Sequence, residues 1–192
     1  MAVTPSDQRG QPSPNGDGQE GLAATAVNAP PGKLLFDISA IDRSAIFADR
    51  DGIAKLNPHR AEMALLDAIT WMTPDATQAL GVKHVRDDEF WVRGHFPGRP
   101  MFPGVLMIET AAQLACYMFV ARLGRPTLAV FLRIESAAFR TSVVPGDSLF
   151  ILCNEVKRQK RRFITQVQGV VGDRIAFDAQ ITGMSVEPVP VT

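Results

Sequence analysis

The chain has 192 residues, 46% of them hydrophobic, which is enough for one ordinary globular domain with its own core. Its 20 lysines and arginines balance its 20 aspartates and glutamates, so no overall charge favours nucleic acid or an anionic membrane as a partner. The two cysteines, Cys116 and Cys153, lie far apart without a ligand-spaced histidine. This argues against a disulfide framework and a zinc site, and it favours a cytoplasmic location.

Residues 1–33 are predicted to form a disordered N-terminal extension. Residues 1–32 hold five of the 14 prolines, five of the 15 glycines and no aromatic residue, so they have too little apolar surface to offset the entropy of ordering. No apolar run follows a basic start, and no secretory or organellar address is expected. One globular domain is predicted over residues 34–188, followed by a short tail at 189–192.

The first half of this domain gives mixed patterns. Helical turns are predicted around residues 40–49, and an extended segment is predicted before Pro58, since proline disfavours a helical residue in front of it. Two strands are predicted next, AEMALLDAITWMTP (61–74) and TQALGVKHV (77–85), separated by a turn at 73–75.

A long helix over about residues 104–123 is the clearest element. It is rich in Ala, Leu and Met and is followed by the stop signals Gly124 and Pro126. Its apolar residues surround the whole helix, which predicts burial on nearly every side. A membrane span is disfavoured, because the apolar run is short and Glu109 and Gln113 interrupt it.

Beyond residue 126 the apolar period changes to two. Strands are predicted within residues 127–144, 147–160, 161–171 and 174–186, with a tight hairpin at Gly172-Asp173. A helix that is apolar all round needs cover on all sides, and a curved antiparallel sheet wrapped around it supplies that cover. The sequence therefore predicts an α+β fold with a central helix.

Glu109 lies in the middle of this apolar helix. Burying a carboxylate is costly unless it is paired or carries a proton, and a protonated carboxyl group is what a general acid needs. Gln113 follows four residues later on the same helical face, where it can orient the carboxyl group. An ion pair between Glu109 and Arg99 or Arg140 is the structural alternative.

His95 begins a loop, GHFPGRPMFPG, that leads into the same helix. Its proline and glycine residues predict a fixed loop, and histidine can accept a proton near neutral pH. His95 is therefore the candidate base, meeting Glu109 within one chain or across a dimer. His59, in a polar stretch, and His84, in a strand, lack this setting.

The start of the helix supplies a third group. The first N–H groups of a helix have no internal partner, so the Gly104 N–H can polarise a thioester carbonyl. A base, a protonated acid and this donor suit removal of a proton α to a carbonyl with loss of a β-hydroxyl as water. No metal ion or organic cofactor is expected.

The string GHFPGRPMFPGVLMIETAAQ closely resembles the signature of the β-hydroxyacyl-acyl-carrier-protein dehydratases of FabZ type. LNPHR with Asp67 and FRTSVVPGDSL extend the resemblance over residues 50–186. It implies a hot-dog fold and dehydration of (3R)-hydroxyacyl thioesters in fatty-acid or related lipid synthesis, with acyl carrier protein as partner. It also implies a homodimer, often a trimer of dimers, with histidine and acid from different subunits.

The resemblance assigns roles residue by residue. His95 and Glu109 match the catalytic histidine and acid, and Gly104 matches the carbonyl-binding glycine. Glutamate rather than aspartate at the acid position favours simple dehydration. Ala68 stands where the family has arginine, and Arg93 stands where it has glutamine. Three further motif residues are expected at the substrate: Gln113, Phe96 and Phe102.

The basic stretch KRQKRR (157–162) has two interpretations. It is either an exposed hairpin turn kept soluble by charge, or a docking patch for an acidic carrier protein formed by Arg158, Lys160, Arg161 and Arg162. Two rival functions also stay open: a hot-dog thioesterase, which would use a carboxylate to activate water, and a non-catalytic acyl-thioester-binding or scaffold protein.

Overall fold

The computed structural model describes residues 32–125 and 127–186. The residues 1–31 and 189–192, which carry most of the predicted extension and all of the predicted tail, lie outside them. The described elements are α1 (Arg50–Ala54), a short 3₁₀ helix (Ala61–Met63), β1 (Ala68–Met72), β2 (Gln78–His84), α2 (Gly104–Leu123), β3 (Ala129–Phe139), β4 (Ser148–Arg158), β5 (Arg162–Val171) and β6 (Arg174–Ser185).

The six strands form one antiparallel sheet in the order β1-β2-β4-β5-β6-β3. β5 and β6 are joined by the predicted two-residue turn, since Val171 pairs with Arg174 and Gly172 adopts the left-handed conformation with φ of 61°. Helix α2 packs against β2, β3, β4, β5 and β6. The predicted α+β hot-dog fold, a sheet around a central helix, is thereby confirmed.

Helix α2 is the centre of the core, as its all-round apolar pattern predicts. Twelve of its 20 residues are buried, and Gly124 ends it in the left-handed conformation with φ of 66°. The helix is long and apolar enough to cross a membrane, but most of it is covered by the protein's own sheet. Because core helices pass the same test, this length and composition do not indicate a membrane span.

Two local predictions in the first half of the domain are wrong. Residues 40–49 contain turns and one isolated β-bridge but no helix; the short helix begins at Arg50, capped by the Asp49 carboxylate, which accepts from the Gly52 N–H at 2.8 Å. Residues 61–67 contain no strand, because the N–H groups of Leu65 and Leu66 donate to the Gln113 side chain rather than to a neighbouring strand.

The segment before α1 covers the outer face of the sheet. Ile38 is buried against Leu80, Leu152 and Val170, and Leu34, Leu35, Phe36 and Ile41 pack around this cluster. The Gln168 side chain fixes the segment, accepting from the Leu35 N–H and donating to the Lys33 carbonyl. At one edge of the sheet, β3 pairs only with β6 among the described strands, so its outer side is open.

Candidate functional site

Glu109 is held by a neighbour on its own helix, as predicted. The Gln113 Nε2 donates to Glu109 Oε1 at 3.0 Å and to the Met63 carbonyl at 2.8 Å. Gln113 Oε1 accepts from the N–H groups of Leu65 and Leu66 at 3.0 and 3.2 Å. Gln113 is buried and all of these bonds lie within the protein, so its side chain orients the carboxyl group rather than contacting a substrate.

The alternative prediction, an ion pair between Glu109 and Arg99 or Arg140, is wrong. Arg140 donates instead to Asp178, at 2.6 Å between Nε and Oδ2, and no ion pair joins Arg99 to Glu109 within the described residues. The neighbour of Glu109 is instead His59, whose Nε2 lies 3.3 Å from Glu109 Oε1. His59 was expected to lie apart from the site because it follows a proline in a polar stretch. That expectation is wrong, since His59 lies next to Glu109.

A small apolar cavity of about 40 Å³ opens beside these groups. Such a volume accommodates a few groups of the size of water. Its lining consists of His59, Glu109, Ala112, Cys116, Ala129, Val130, Phe131, Phe163, Ile181 and Gly183. Besides the thiol of Cys116, only His59 and Glu109 in this lining are titratable. The cavity is therefore suited to an apolar group and ends at the Glu109 carboxyl group.

The Cys116 thiol does not provide a nucleophile in this cavity. Burial raises its pKa to about 12, and the neighbouring Glu109 adds to that increase. The thiol therefore stays neutral at physiological pH. The described cysteines are both buried and free, and the described residues contain no group of three His, Cys, Asp or Glu side chains suited to a metal ion.

His95 is fixed by its own loop. Its Nδ1 lies 2.8 Å from the Met101 carbonyl, its N–H donates to the Trp91 carbonyl at 2.9 Å, and the Met101 N–H donates to its carbonyl at 2.9 Å. Because a carbonyl oxygen only accepts, the neutral ring carries its proton on Nδ1, and its Nε2 has no hydrogen-bond partner among the described residues. That is the tautomer a base needs.

The two phenylalanines expected at the substrate have different positions. Phe96 is half exposed and stacks on the His95 ring, with 4.1 Å between the ring centroids. Phe102 is buried in the core against Trp91, and its N–H donates to the Val143 carbonyl at 2.7 Å. Phe96 is thus accessible beside the candidate base. Phe102 is buried and supports the loop from the core, so it is not placed to contact a substrate as expected.

Gly104 begins α2, as predicted, and no acceptor for its N–H is found among residues 32–125 and 127–186. A Cβ at this position would lie 2.7 Å from the Phe139 ring. A side chain there would clash with the aromatic ring that covers the helix start. Glycine therefore lets the Phe139 ring lie against the helix start, where the Gly104 N–H has no acceptor among the described residues.

The structure brings together Glu109, Gln113 and His59, and separately fixes His95 in its loop. No hydrogen bond or ion pair joins His95 to Glu109 within the part of the chain described. Sequence reasoning missed His59, although the Pro58-His59-Arg60 string was part of the quoted resemblance. That string is the sequence signal that could have indicated His59. Local patterns could not indicate its contact with α2, because 50 residues of sequence separate His59 from Glu109.

Comparison with known proteins gives a consistent result. The FabA-like domain model matches residues 57–180. The chain is 36% identical over 152 residues to a 3-hydroxyacyl-[acyl-carrier-protein] dehydratase FabZ of Acidiphilium cryptum, covering 76% of this chain and 92% of that protein. It is 34% identical over 145 residues to a protein of the same name from Granulibacter bethesdensis, covering 74% and 85%.

Solved structures with the same fold are much less similar in sequence. The dehydratase heterocomplex ApeI:P from Xenorhabdus doucetiae matches with a TM-score of 0.62 and 14% identity, over 70% of this chain and 91% of that chain. An uncharacterized protein from Pyrococcus horikoshii matches with a TM-score of 0.56 and 13% identity, over 72% and 96%. These two matches bear on the fold alone. The family model and the curated relatives carry the conclusion that this chain belongs to the FabA-like family, among the dehydratases of FabZ type.

Proposed function

We propose that this chain dehydrates (3R)-hydroxyacyl thioesters linked to acyl carrier protein, giving trans-2-enoyl thioesters for fatty-acid or related lipid synthesis. One observation carries the proposal: a histidine with a free Nε2 stands on a rigid loop that leads into the helix bearing an oriented carboxyl group. The curated relatives named above carry the same activity in their names.

Each group meets one demand of the reaction. His95 Nε2 takes the α-proton, breaking the C–H bond, while the Gly104 N–H stabilises the negative charge that develops on the thioester oxygen. Glu109 gives its proton to the β-hydroxyl, the C–O bond breaks, and water leaves as the double bond forms. Each acid–base group contributes roughly 10²- to 10⁴-fold, so the positioning of the thioester supplies much of the rest.

A homodimer with shared sites is part of the proposal. Strand β3 is an edge strand, and its exposed residues include Phe131, Leu132, Ile134 and Phe139. An open apolar edge is a ready template for pairing, and a two-fold axis would pair it with its own copy. Because the helix start touches Phe139, the same pairing would bring the partner's β3 close to the Gly104 N–H. A trimer of such dimers is the larger assembly that the family resemblance implies.

The two rival functions make different demands. A thioesterase needs a carboxylate that activates water, whereas Glu109 lies beside an apolar cavity and is matched by a separate base on the His95 loop. A non-catalytic acyl-binding or scaffold protein needs neither reactive side chain. The presence of both therefore favours the dehydratase.

We expect the wild-type protein to hydrate crotonyl thioesters to 3-hydroxybutyryl thioesters, which is the same reaction in reverse. The loss of enoyl absorbance measures the rate, with carrier-protein and coenzyme A substrates of increasing chain length. Release of free thiol from the substrate instead would indicate a thioesterase. Saturable binding without turnover would indicate the binding or scaffold protein.

The basic stretch 157–162 is the exposed hairpin between β4 and β5, which agrees with its structural interpretation. Its position also supports docking: the next residue, Phe163, lines the cavity beside Glu109. None of its five cations forms an ion pair with another described residue, although Arg161 Nε donates to the Ser185 carbonyl at 3.2 Å. We propose that Arg158, Lys160, Arg161 and Arg162 receive the acidic carrier protein.

Replacing Arg158, Lys160 and Arg162 by glutamate should lower kcat/KM for a carrier-linked substrate by roughly 10- to 100-fold, because charge steers the encounter. The rate with the coenzyme A substrate should not change. Glutamate at Lys33, Lys55 and Arg174 changes the net charge equally away from the hairpin and serves as the control. Equal kinetics for both triple variants with the carrier-linked substrate would contradict docking at this hairpin.

We further propose a cytoplasmic location. Both cysteines are buried and free of disulfide bonds, as is usual for proteins of a reducing compartment.

A further inference from the structure

His59 stands next to the acid without an established task. Its Nε2 lies 3.3 Å from Glu109 Oε1, and its Nδ1 is buried and has no hydrogen-bond partner among the described residues. A buried polar atom without a partner costs free energy, and such a group in a native structure calls for an explanation. A purely structural residue at this position would do better as an apolar side chain.

The segment that carries His59 is anchored to the same turn of α2. Asn57 Nδ2 donates to the Gln113 carbonyl at 2.8 Å, and the Met63 carbonyl accepts from the Gln113 side chain at 2.8 Å. Asn57 and Gln113 are both buried. His59 therefore lies between two fixed points, so its distance from Glu109 is set by the backbone rather than by side-chain freedom.

We propose that His59 is a positioning residue for the acid, an inference that rests on the proposed dehydratase function. Two groups, the His59 imidazole and the Gln113 amide, approach the same oxygen of Glu109, Oε1. A proton on His59 Nε2 points at that oxygen, and the amide N–H already occupies it. The carboxyl proton is consequently directed to Oε2, the oxygen that neither group approaches, and from there it is given to the β-hydroxyl of the substrate.

Three variants test this role. His59→Phe keeps an aromatic ring but removes both nitrogens; we expect kcat to fall roughly 10- to 100-fold with KM nearly unchanged, the range for leaving a buried hydrogen-bonding group without its partner. His59→Gln places an amide N–H at the reach of Nε2 and should recover most of kcat. His84→Phe, at an exposed histidine on β2, is the matched control and should behave as wild type.

A double-mutant cycle separates positioning from a general structural effect. In a Glu109→Gln background, His59→Phe should change the residual rate less than about twofold, because the group it orients is gone. The inference is overturned if His59→Phe keeps the wild-type kcat, if His59→Gln is as slow as His59→Phe, or if the loss is the same in both backgrounds. Failure of the proposed function looks different, since the wild-type protein itself would then be inactive.

Discussion

Mixing the His95→Ala and Glu109→Gln proteins should restore about one quarter of the wild-type activity, although each variant alone is nearly inactive. Alone, each should lose roughly 10²- to 10⁴-fold in kcat, the range for one general acid or base. After subunit exchange, random pairing puts about half of the chains in mixed dimers, and each mixed dimer has one intact site of two. That recovery is possible only where histidine and acid come from different chains.

The structure gives the reason to test this arrangement. Within the described residues of one chain, His95 is bonded to Met101 and Trp91, and Glu109 is held by Gln113 and His59, with no direct link between the two. As the control, the His95→Ala protein is mixed with a variant that carries both His95→Ala and Glu109→Gln, because no dimer in that mixture has an intact site. Mixed dimers that form, as detected with two affinity tags, and yet show no recovery would place the site within one chain.

Lys83→Met should lower the free energy of unfolding by about 3–5 kcal/mol, the range for breaking a buried ion pair by removing one partner. Lys83 lies on β2 and is only 1% exposed, with its Nζ 2.9 Å from Glu89 Oε1. Glu89 is itself buried, with a side chain 6% exposed. The substitution therefore strands a carboxylate in the core.

This ion pair also supports the loop that carries His95. Glu89 accepts from the Trp91 indole N–H at 3.1 Å, and the Trp91 carbonyl accepts from the His95 N–H at 2.9 Å. Lys83→Met should therefore lower kcat as well as stability, because the loop that fixes the His95 tautomer loses its anchor. Urea unfolding followed by circular dichroism measures the first effect and the enoyl assay the second.

A second variant keeps the stability prediction testable. The double variant Lys83→Met, Glu89→Gln removes both charges and should regain part of the lost unfolding free energy, since no unpaired carboxylate remains. A loss of less than about 1 kcal/mol for Lys83→Met would match an exposed pair instead. A double variant no more stable than the single one would also contradict the argument.

Asp67 is paired with an arginine from elsewhere in the chain, although the arginine that the family has next to it is missing. Ala68 stands where an arginine is expected beside Asp67, yet Asp67 does not lack a guanidinium partner. Arg50, at the start of α1, donates from its Nε to Asp67 Oδ1 at 2.9 Å. Seventeen residues of sequence separate the two side chains, so no local pattern indicates the pairing.

The sequence by itself determined the central helix, the later strands and the motif residues, because each follows from a short-range pattern. A helix that is apolar all round must be buried, alternation marks half-buried strands, and Gly172-Asp173 marks a hairpin. Gln113 could be linked to Glu109 because residues four apart share a helical face. These inferences need only neighbours along the chain.

The tertiary structure alone decided which distant groups surround Glu109 and His95. His59 lies beside Glu109 although 50 residues of sequence separate them, Gln113 accepts from the N–H groups that would have extended β1, and Lys83 is a buried cation paired with Glu89. Such contacts depend on how the segment at 57–67 docks against α2 and how the loop at 85–103 closes. Docking is set by the packing of the whole core, and hydrophobic periodicity carries no information about which polar groups that packing brings together.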